Sequence, residues 1–354
     1  MSDFLSAGAG ERLTARRLVV VVGLCALACA VIAVLAPLIG VVQDRSGWHV
    51  ELLGLNALDP DSFDHQILAV RLPRVIASLV TGAALAGAGC ALQALLRNPL
   101  AEPFTLGISS GSSLGAVVAI RFGAERAFGH GAIGVAALIG AVATMFLIWR
   151  LAQIGRHLPP ATLILAGVAI SMFCSSVSVL IQYTSEFADV EHMLSWMMGG
   201  LDAVRMGWVG YASIPIGGGL VVLVLYGKEM NALAGGSEAA ASVGVAVART
   251  QLVLFAVASL LVGSAIAVVG PIGFIGLVVP HALRAVVGPD HRALLPASMF
   301  GGAIVLVFCD TLARTIIPLN HLPTGAVTAV LGVPFFFGIL LAHKRRAALW
   351  GARL

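Results

Sequence analysis

Charge is scarce in this chain. Only 11% of its 354 residues are Asp, Glu, Lys or Arg, against about 25% in an ordinary soluble domain. Aromatics are also few, at 6%, with three tyrosines in all. Almost all the charges fall in gaps between apolar runs, so the chain has no room for a large soluble domain. That excludes soluble enzymes, nucleic-acid binders and secreted disulfide scaffolds. The five cysteines (Cys25, Cys29, Cys90, Cys174, Cys309) each sit inside an apolar run and form no CxxC or metal-ligand spacing. They read as small hydrophobes. No glycine-rich phosphate loop, HExxH or GxSxG run is present, so no catalytic residue and no metal ligand is assigned. His281 is the one histidine well inside an apolar run, which argues against a bis-histidine haem anchor. Intramembrane acids are nearly absent, with Asp310 and Glu102 the closest, whereas a gradient-driven carrier buries such groups to couple transport to ions. A secondary carrier is the leading rival from another class. The chain reads as a conduit energised from elsewhere.

What is present is hydrophobicity, 59% of residues, arranged in runs long enough to cross a bilayer. Ten spans are expected, at 18 to 42, 75 to 96, 104 to 120, 131 to 149, 161 to 182, 207 to 226, 251 to 269, 271 to 287, 293 to 312 and 324 to 342. The third and eighth are weak by hydropathy. The eighth carries Pro280, His281 and Arg284 and follows a Gly270-Pro271 break, so a pair of short or kinked helices fits as well. Arg12, Arg16 and Arg17 precede the first run, which is too long for a signal-peptide core and is expected to stay attached. With the N-terminus inside, the inner segments hold twice as many Lys and Arg as the outer ones. Both termini are therefore placed in the cytoplasm, and the pI near 9.0 is read as topological. Gly is abundant, 41 residues, and clusters within spans at Gly82, Gly87 and Gly89, at Gly217 to Gly219 and at Gly301-Gly302. Close backbone approach through small residues is what packs helices in lipid, so a compact helical core is expected.

Two features stand out between the spans. Arg71-Leu72-Pro73-Arg74 opens the second one, with Pro73 suited to a first helical turn. Two arginines there oppose both the helix dipole and the inside bias of basic residues, which asks for an external anion; arginines reaching lipid headgroups are the alternative. Arg314 follows Asp310 by four residues, a spacing that also makes an intrahelical pair. Lys228 to Thr250 is too polar to span. It reads as one or two short cytoplasmic helices, with Ser237 as N-cap, Glu238 in the first turn and helical content from Ala239 to Val247.

Several runs together resemble the permeases for iron chelates, haem and vitamin B12, the FecCD and BtuC-like transmembrane subunits of type II ATP-binding-cassette importers. They are Arg71 to Arg74, Gly82 to Gln93, Asn98 to Pro103 with Leu106-Gly107, Leu165 to Gly167, and Trp196 to Gly200. Asn231 to Leu233, Glu238 to Ala240, Gly270 to Arg284, Gly288 to Pro296 and Leu322 to Gly325 complete the set, so the likeness runs from about Arg71 to Leu341. The resemblance implies an all-α polytopic membrane protein with ten transmembrane helices per subunit. Residues 1–354 would be a single permease domain, with 228–250 as coupling helices. It further implies a homodimer in the bacterial inner membrane, two cytoplasmic ATPase subunits that carry ATP and Mg, and a periplasmic binding protein. The chain itself would bind no cofactor.

Residue by residue, the resemblance places Arg71, Arg74 and Arg314 against glutamates of the binding protein. Asn231, Ala232, Leu233, Glu238, Ala239 and Ala240 would sit on the ATPase, and Asn98, Leu100, Pro160 and Ala161 would form the inner gate. The family usually has polar residues where Pro160 and Ala161 stand, and an acid where His321 stands. The cargo is read as haem or a related chelate, with ferric siderophore and cobalamin as alternatives, because His49, His65, His130, His192 and His321 fall on the outer face and imidazole is a natural transient ligand for haem iron. Tyr183, His192, Met193, Trp196, Met197 and Met198, at or beside the fifth-to-sixth connection, fit an apolar, weakly binding path; most of them fit ordinary packing equally.

Overall fold

The computed structural model describes residues 15–44, 47–52, 62–129, 131–155, 157–202, 204–317 and 322–351, with side chains left out at a few of these and beyond residue 341. The first helix, α1 (Ala15–Leu35), is shorter than the expected 18 to 42. Pro37 is the cause. It supplies no N–H, and its ring opposes continuation of the helix, so a 3-10 turn at Ala36–Leu38 leads into a hairpin. Strands β1 (Ile39–Asp44) and β2 (Gly47–Leu52) pair antiparallel with Ile39 opposite Leu52. This hairpin is the one sheet among the described residues of an otherwise helical protein.

The second helix also differs from expectation. α2 (Phe63–Leu96) begins twelve residues before position 75. Ser62 caps it, its hydroxyl accepting the His65 N–H at 3.1 Å, and Asp64 follows in the first turn, where a carboxylate suits the helix dipole. Pro73 therefore lies in the helix interior, and Arg71 and Arg74 are well past the N-terminal turn. The argument from the dipole end falls with it.

α2 is the central helix of the bundle and packs against α13 (His291–Ile316), α11 (Val247–Val269), α12 (Ile275–Val287) and α8 (Met206–Leu225). Two of these contacts depend on glycine. A Cβ on Gly82 would stand 2.4 Å from the Gly302 carbonyl oxygen, and one on Gly89 would stand 2.0 Å from that of Gly276. Backbones meet at both crossings, as lipid-embedded helices require when no hydrophobic effect drives them together.

The ten expected spans correspond to α1, α2, α3 (Ile108–Arg121), α5 (Ala132–Ala152), α6 (Pro160–Tyr183), α8, α11, α12, α13 and α14 (Thr324–Gly351). Among the described residues, seven of the ten are, by length and composition, long and apolar enough to cross a membrane. The two that hydropathy left weak, α3 and α12, are short. At 1.5 Å per residue each extends only about 20 Å, against a hydrocarbon thickness of about 30 Å. Each is entered from an irregular segment, 97–107 and 270–274, and the residue before each helix has positive φ, Gly107 at 79° and Phe274 at 68°. The two segments are joined, since the Glu102 carboxylate accepts the Phe274 N–H. Irregular backbone at membrane depth is tolerated where protein, and not lipid, surrounds it.

Two short helices bracket α5 and α6: α4 (Ala124–Phe128) and α7 (Phe187–Met197). α7 was not expected. Its Met193 is fully buried among Ala116, Val117, Ile120, Ile133 and Ala137 while Phe187 and His192 face outward. Between α8 and α11 lie α9 (Gly227–Ala234) and α10 (Ser237–Ser242). Ser237 is the first helical residue and not the cap, which is Gly236 at φ +112°. α10 stops at Ser242, and a turn through Gly244 at φ +85° separates it from Val247, which opens α11.

Candidate functional site

The expected arginines converge at one end of the bundle. Arg74 lies between two carboxylates, its Nη1 donating to Asp202 Oδ1 at 2.6 Å and its Nη2 to Asp310 Oδ1 at 2.8 Å. Arg314 reaches Asp310 Oδ2 through Nε at 3.8 Å, and its Nη2 donates to the Ala36 carbonyl and to Thr311 Oγ1. Arg71 donates to the Pro37 carbonyl at 3.3 Å, and Thr324 approaches Asp310 Oδ1 at 3.4 Å. Arg74 is 7% exposed, Arg314 6% and Asp310 1%. The anion that these arginines ask for is therefore supplied from within the chain. The intrahelical pair of Asp310 with Arg314 is present, and the closer partner of Asp310 is Arg74. Asp202 gave no signal beyond being the only acid between Glu191 and Glu229. Arg314 Nε and Nη1 make no hydrogen bond among the described residues.

The α9–α10 pair marks the other end. Leu233 and Ala240 are buried in the main core, whereas Glu238 and Ala239 are exposed and Asn231 and Ala232 are half-buried. Of the six residues assigned to an ATPase contact, Leu233 and Ala240 therefore turn inward. A bulky residue at Ala240 would disturb packing first. Asn231 Nδ2 donates to Asp290 Oδ1 at 2.7 Å, and Asn231 Oδ1 accepts the His291 N–H at 2.8 Å. The Arg292 guanidinium first, helped by the Asn231 amide and the Arg292 N–H, holds the Asp290 carboxyl down at about 2. An aspartate just before an apolar periodic run is a helix-start signal in sequence, and its side chain does cap α13.

The two loops assigned to an inner gate share this end. The Asn98 side chain accepts the Leu100 N–H at 2.9 Å in a tight turn, and the Arg97 guanidinium lies beside Gly236 of the α9–α10 joint. Pro160 occupies the first position of α6 after Pro159, where a missing N–H costs nothing. Ala161 is exposed, and the loop before it is held to the start of α11 by Leu158 N–H donating to Gln251 Oε1 at 3.2 Å.

The residues assigned to the path are divided. His192 and Trp196 line a cavity of about 270 Å³ with Ser195, Asp202, Arg205 and Trp208. Met193 is packed into the α3–α5 core, Met197 accepts from Gln182 Nε2 through its sulfur, and Tyr183 is 89% exposed at the end of α6. His65 lies in the first turn of α2. His130 and His321 fall outside the described residues, as does the side chain of His49.

The model of the FecCD transport family matches residues 21–342. The cobalamin import system permease protein BtuC of Halobacterium salinarum is 39% identical over 288 residues, covering 81% of this chain and 76% of that protein. The vitamin B12 import system permease protein BtuC of Escherichia coli O9:H4 is 40% identical over 278 residues, covering 78% and 83%. Among solved structures, an inward-facing chain of metal-chelate ABC transporter type superposes with a TM-score of 0.78 at 28% identity, covering 92% of this chain and 99% of that one. PsaBC from Streptococcus pneumoniae shares the fold at a TM-score of 0.52. With the matched region running from α1 into α14, the chain belongs to the FecCD transport family.

Proposed function

We propose that this chain is the permease subunit of an ATP-driven importer that carries a large metal chelate through the bacterial inner membrane. The observation that carries the reading is the pairing of two polar ends on one bundle. A buried arginine cluster closes one end, and a helix pair with an exposed Glu238-Ala239 edge stands at the other. On this reading the arginine end faces the periplasm and a binding protein, while α9–α10 rest on a separate cytoplasmic ATPase that holds ATP and Mg. Both termini are cytoplasmic. A second copy of the chain completes the path, and the outward apolar face of α6 (Leu165, Met172, Phe173, Leu180) supplies a surface for it. Transport proceeds by alternating access, with Asn98, Leu100, Pro160 and Ala161 at the inner gate.

The names of the two curated relatives favour cobalamin as cargo. Haem is the second reading, and it rests on His192 at the wall of the cavity. A path for either must hold its cargo loosely enough to release it. Uptake into proteoliposomes that contain this chain and its ATPase, with binding protein outside, separates the readings when cobalamin, haem and a ferric siderophore are compared. ATP-dependent uptake of cobalamin alone supports the first, and uptake of haem that falls on His192→Ala supports the second. Uptake that needs a proton gradient and persists without ATP sinks both.

A further inference from the structure

α9 is bound to a helix start sixty residues further along the chain. Asn231 commits its whole amide to this contact: Nδ2 donates to Asp290 Oδ1 at 2.7 Å, and Oδ1 lies 2.8 Å from both the backbone nitrogen and the Nδ1 of His291. Because an amide oxygen only accepts, the imidazole proton must sit on Nδ1. Asp290 is engaged on every side. It caps α13 through the Arg292 N–H at 3.0 Å and takes the Arg292 guanidinium at 2.6 Å. His291 is 4% exposed, so the contact is anchored in the protein interior, and Met230 and Leu233 hold the other face of α9 in the core.

α13 is in turn bound to α2 along its length. Their backbones meet at Gly302 and Gly82, and Asp310 holds Arg74 at the far end. The connections that follow α9 are pliable by comparison, with Gly235-Gly236 before α10 and Gly244 after it. A load applied to α9 therefore has a stiff route into α13 and a soft one along the chain.

We infer that Asn231, Asp290 and His291 form the mechanical joint through which the α9–α10 pair moves α13, and with it the arginine cluster at the other end. The inference rests on the proposed seating of α9–α10 on an ATPase. These are positioning residues, since none of them touches cargo or nucleotide. A charge-assisted hydrogen bond and two further hydrogen bonds hold better under displacement than apolar contact alone, because they fix direction as well as distance.

The test uses three variants of the full chain in proteoliposomes with its ATPase and binding protein. N231A removes the link. N231D sets a second carboxylate against Asp290 and pushes the joint apart. N231D/D290N rebuilds it with the roles exchanged: the amide introduced at position 290 turns its nitrogen to the carboxylate introduced at position 231 and keeps its oxygen on the Arg292 guanidinium, with loss of the Arg292 N–H cap that Asp290 Oδ1 accepts in the parent. Two quantities are read: ATP hydrolysed per cobalamin taken up, and amide exchange of residues 288–296 with and without vanadate-trapped nucleotide. The second needs no cargo. We expect at least a tenfold rise in ATP per cobalamin for N231A and more for N231D, with complex assembly and melting temperature retained. Nucleotide-dependent exchange at 288–296 is expected in the parent and lost in both single variants. The exchanged pair should return both readings to within twofold of the parent.

Parent-like exchange and stoichiometry in N231D, or an exchanged pair that stays uncoupled, overturns the joint. If the parent takes up no cobalamin, the cargo reading fails and the exchange measurement still decides the joint. If N231D does not assemble, N231A and the exchanged pair decide by the same readings.

Discussion

Asp310 and Asp290 stand at opposite ends of α13, one 1% exposed beneath two guanidiniums and the other with a side chain 24% exposed beside one. The buried end holds charges whose removal from water is expensive, and mutual attraction offsets that cost only while every partner stays in place. The open end uses a neutral amide, a cap and a solvent-facing guanidinium, and each of these is modest in energy. One end is consequently all-or-none, suited to a cluster that is either closed or rearranged. The other joins α9 to α13 by direct, directional hydrogen bonds with His291 buried beneath them.

The contrast is broken most directly at Asp310. Asp310→Ala leaves Arg74 with only the exposed Asp202 and Arg314 with no carboxylate, and breaking a buried pair in this way costs about 3–5 kcal/mol. Thermal melting of the purified protein in detergent should show the loss, and a melting curve like the parent's would contradict the buried cluster. The rigid route between the ends comes next. Gly302→Ala places a methyl 2.3 Å from the Gly82 carbonyl oxygen, an overpacking of about 1–3 kcal/mol. Gly217→Ala and Gly218→Ala meet open space on α8 and should stay within about 0.5 kcal/mol. Equal effects at Gly302 and Gly217 would erase the distinction between crossing glycines and open ones.

Asp202→Asn should be milder than Asp310→Ala. Its side chain is 43% exposed, and exposed pairs contribute about 0–1 kcal/mol. A loss as large as that of Asp310→Ala would mean that Arg74 depends on Asp202. The smallest effect is expected from pH at Asp290. Its carboxyl is depressed from 3.8 to about 2 in the folded protein, so its contribution is complete above pH 4 and is lost as pH falls through 2. Melting between pH 5 and 8 should show no pH dependence from Asp290, whose contribution is constant there, and Asp290→Asn should lower stability by that constant amount and abolish the component that fades between pH 4 and 2.

Much of the membrane architecture was legible in the residues. Apolar runs located the spans, and the two weak ones became the short helices α3 and α12, which protein surrounds. Errors came where one residue overrides a run. Pro37 cut the first span short, and Ser62 with Asp64 started α2 early, which moved Arg71 and Arg74 from a helix end to a helix interior. α7 escaped notice because eleven residues with an exposed Phe187 and a buried Met193 carry no spanning signal. At the site, residue types were readable and directions were not. Ala240 and Glu238 are near neighbours in a polar segment, yet one faces the core and the other faces solvent.

The sequence by itself determined that this is a multi-pass helical membrane protein, because apolar run length and charge placement are local quantities read against the thickness of a bilayer. Its motifs also carried the family. Only the tertiary structure decided which charges neutralise one another. Asp310 and Arg74 are 236 positions apart, and Asn231 and Asp290 are 59 apart. Coulomb energy depends on distance in space, and the first of these distances exists only after the Gly82–Gly302 crossing has brought α2 and α13 backbone to backbone.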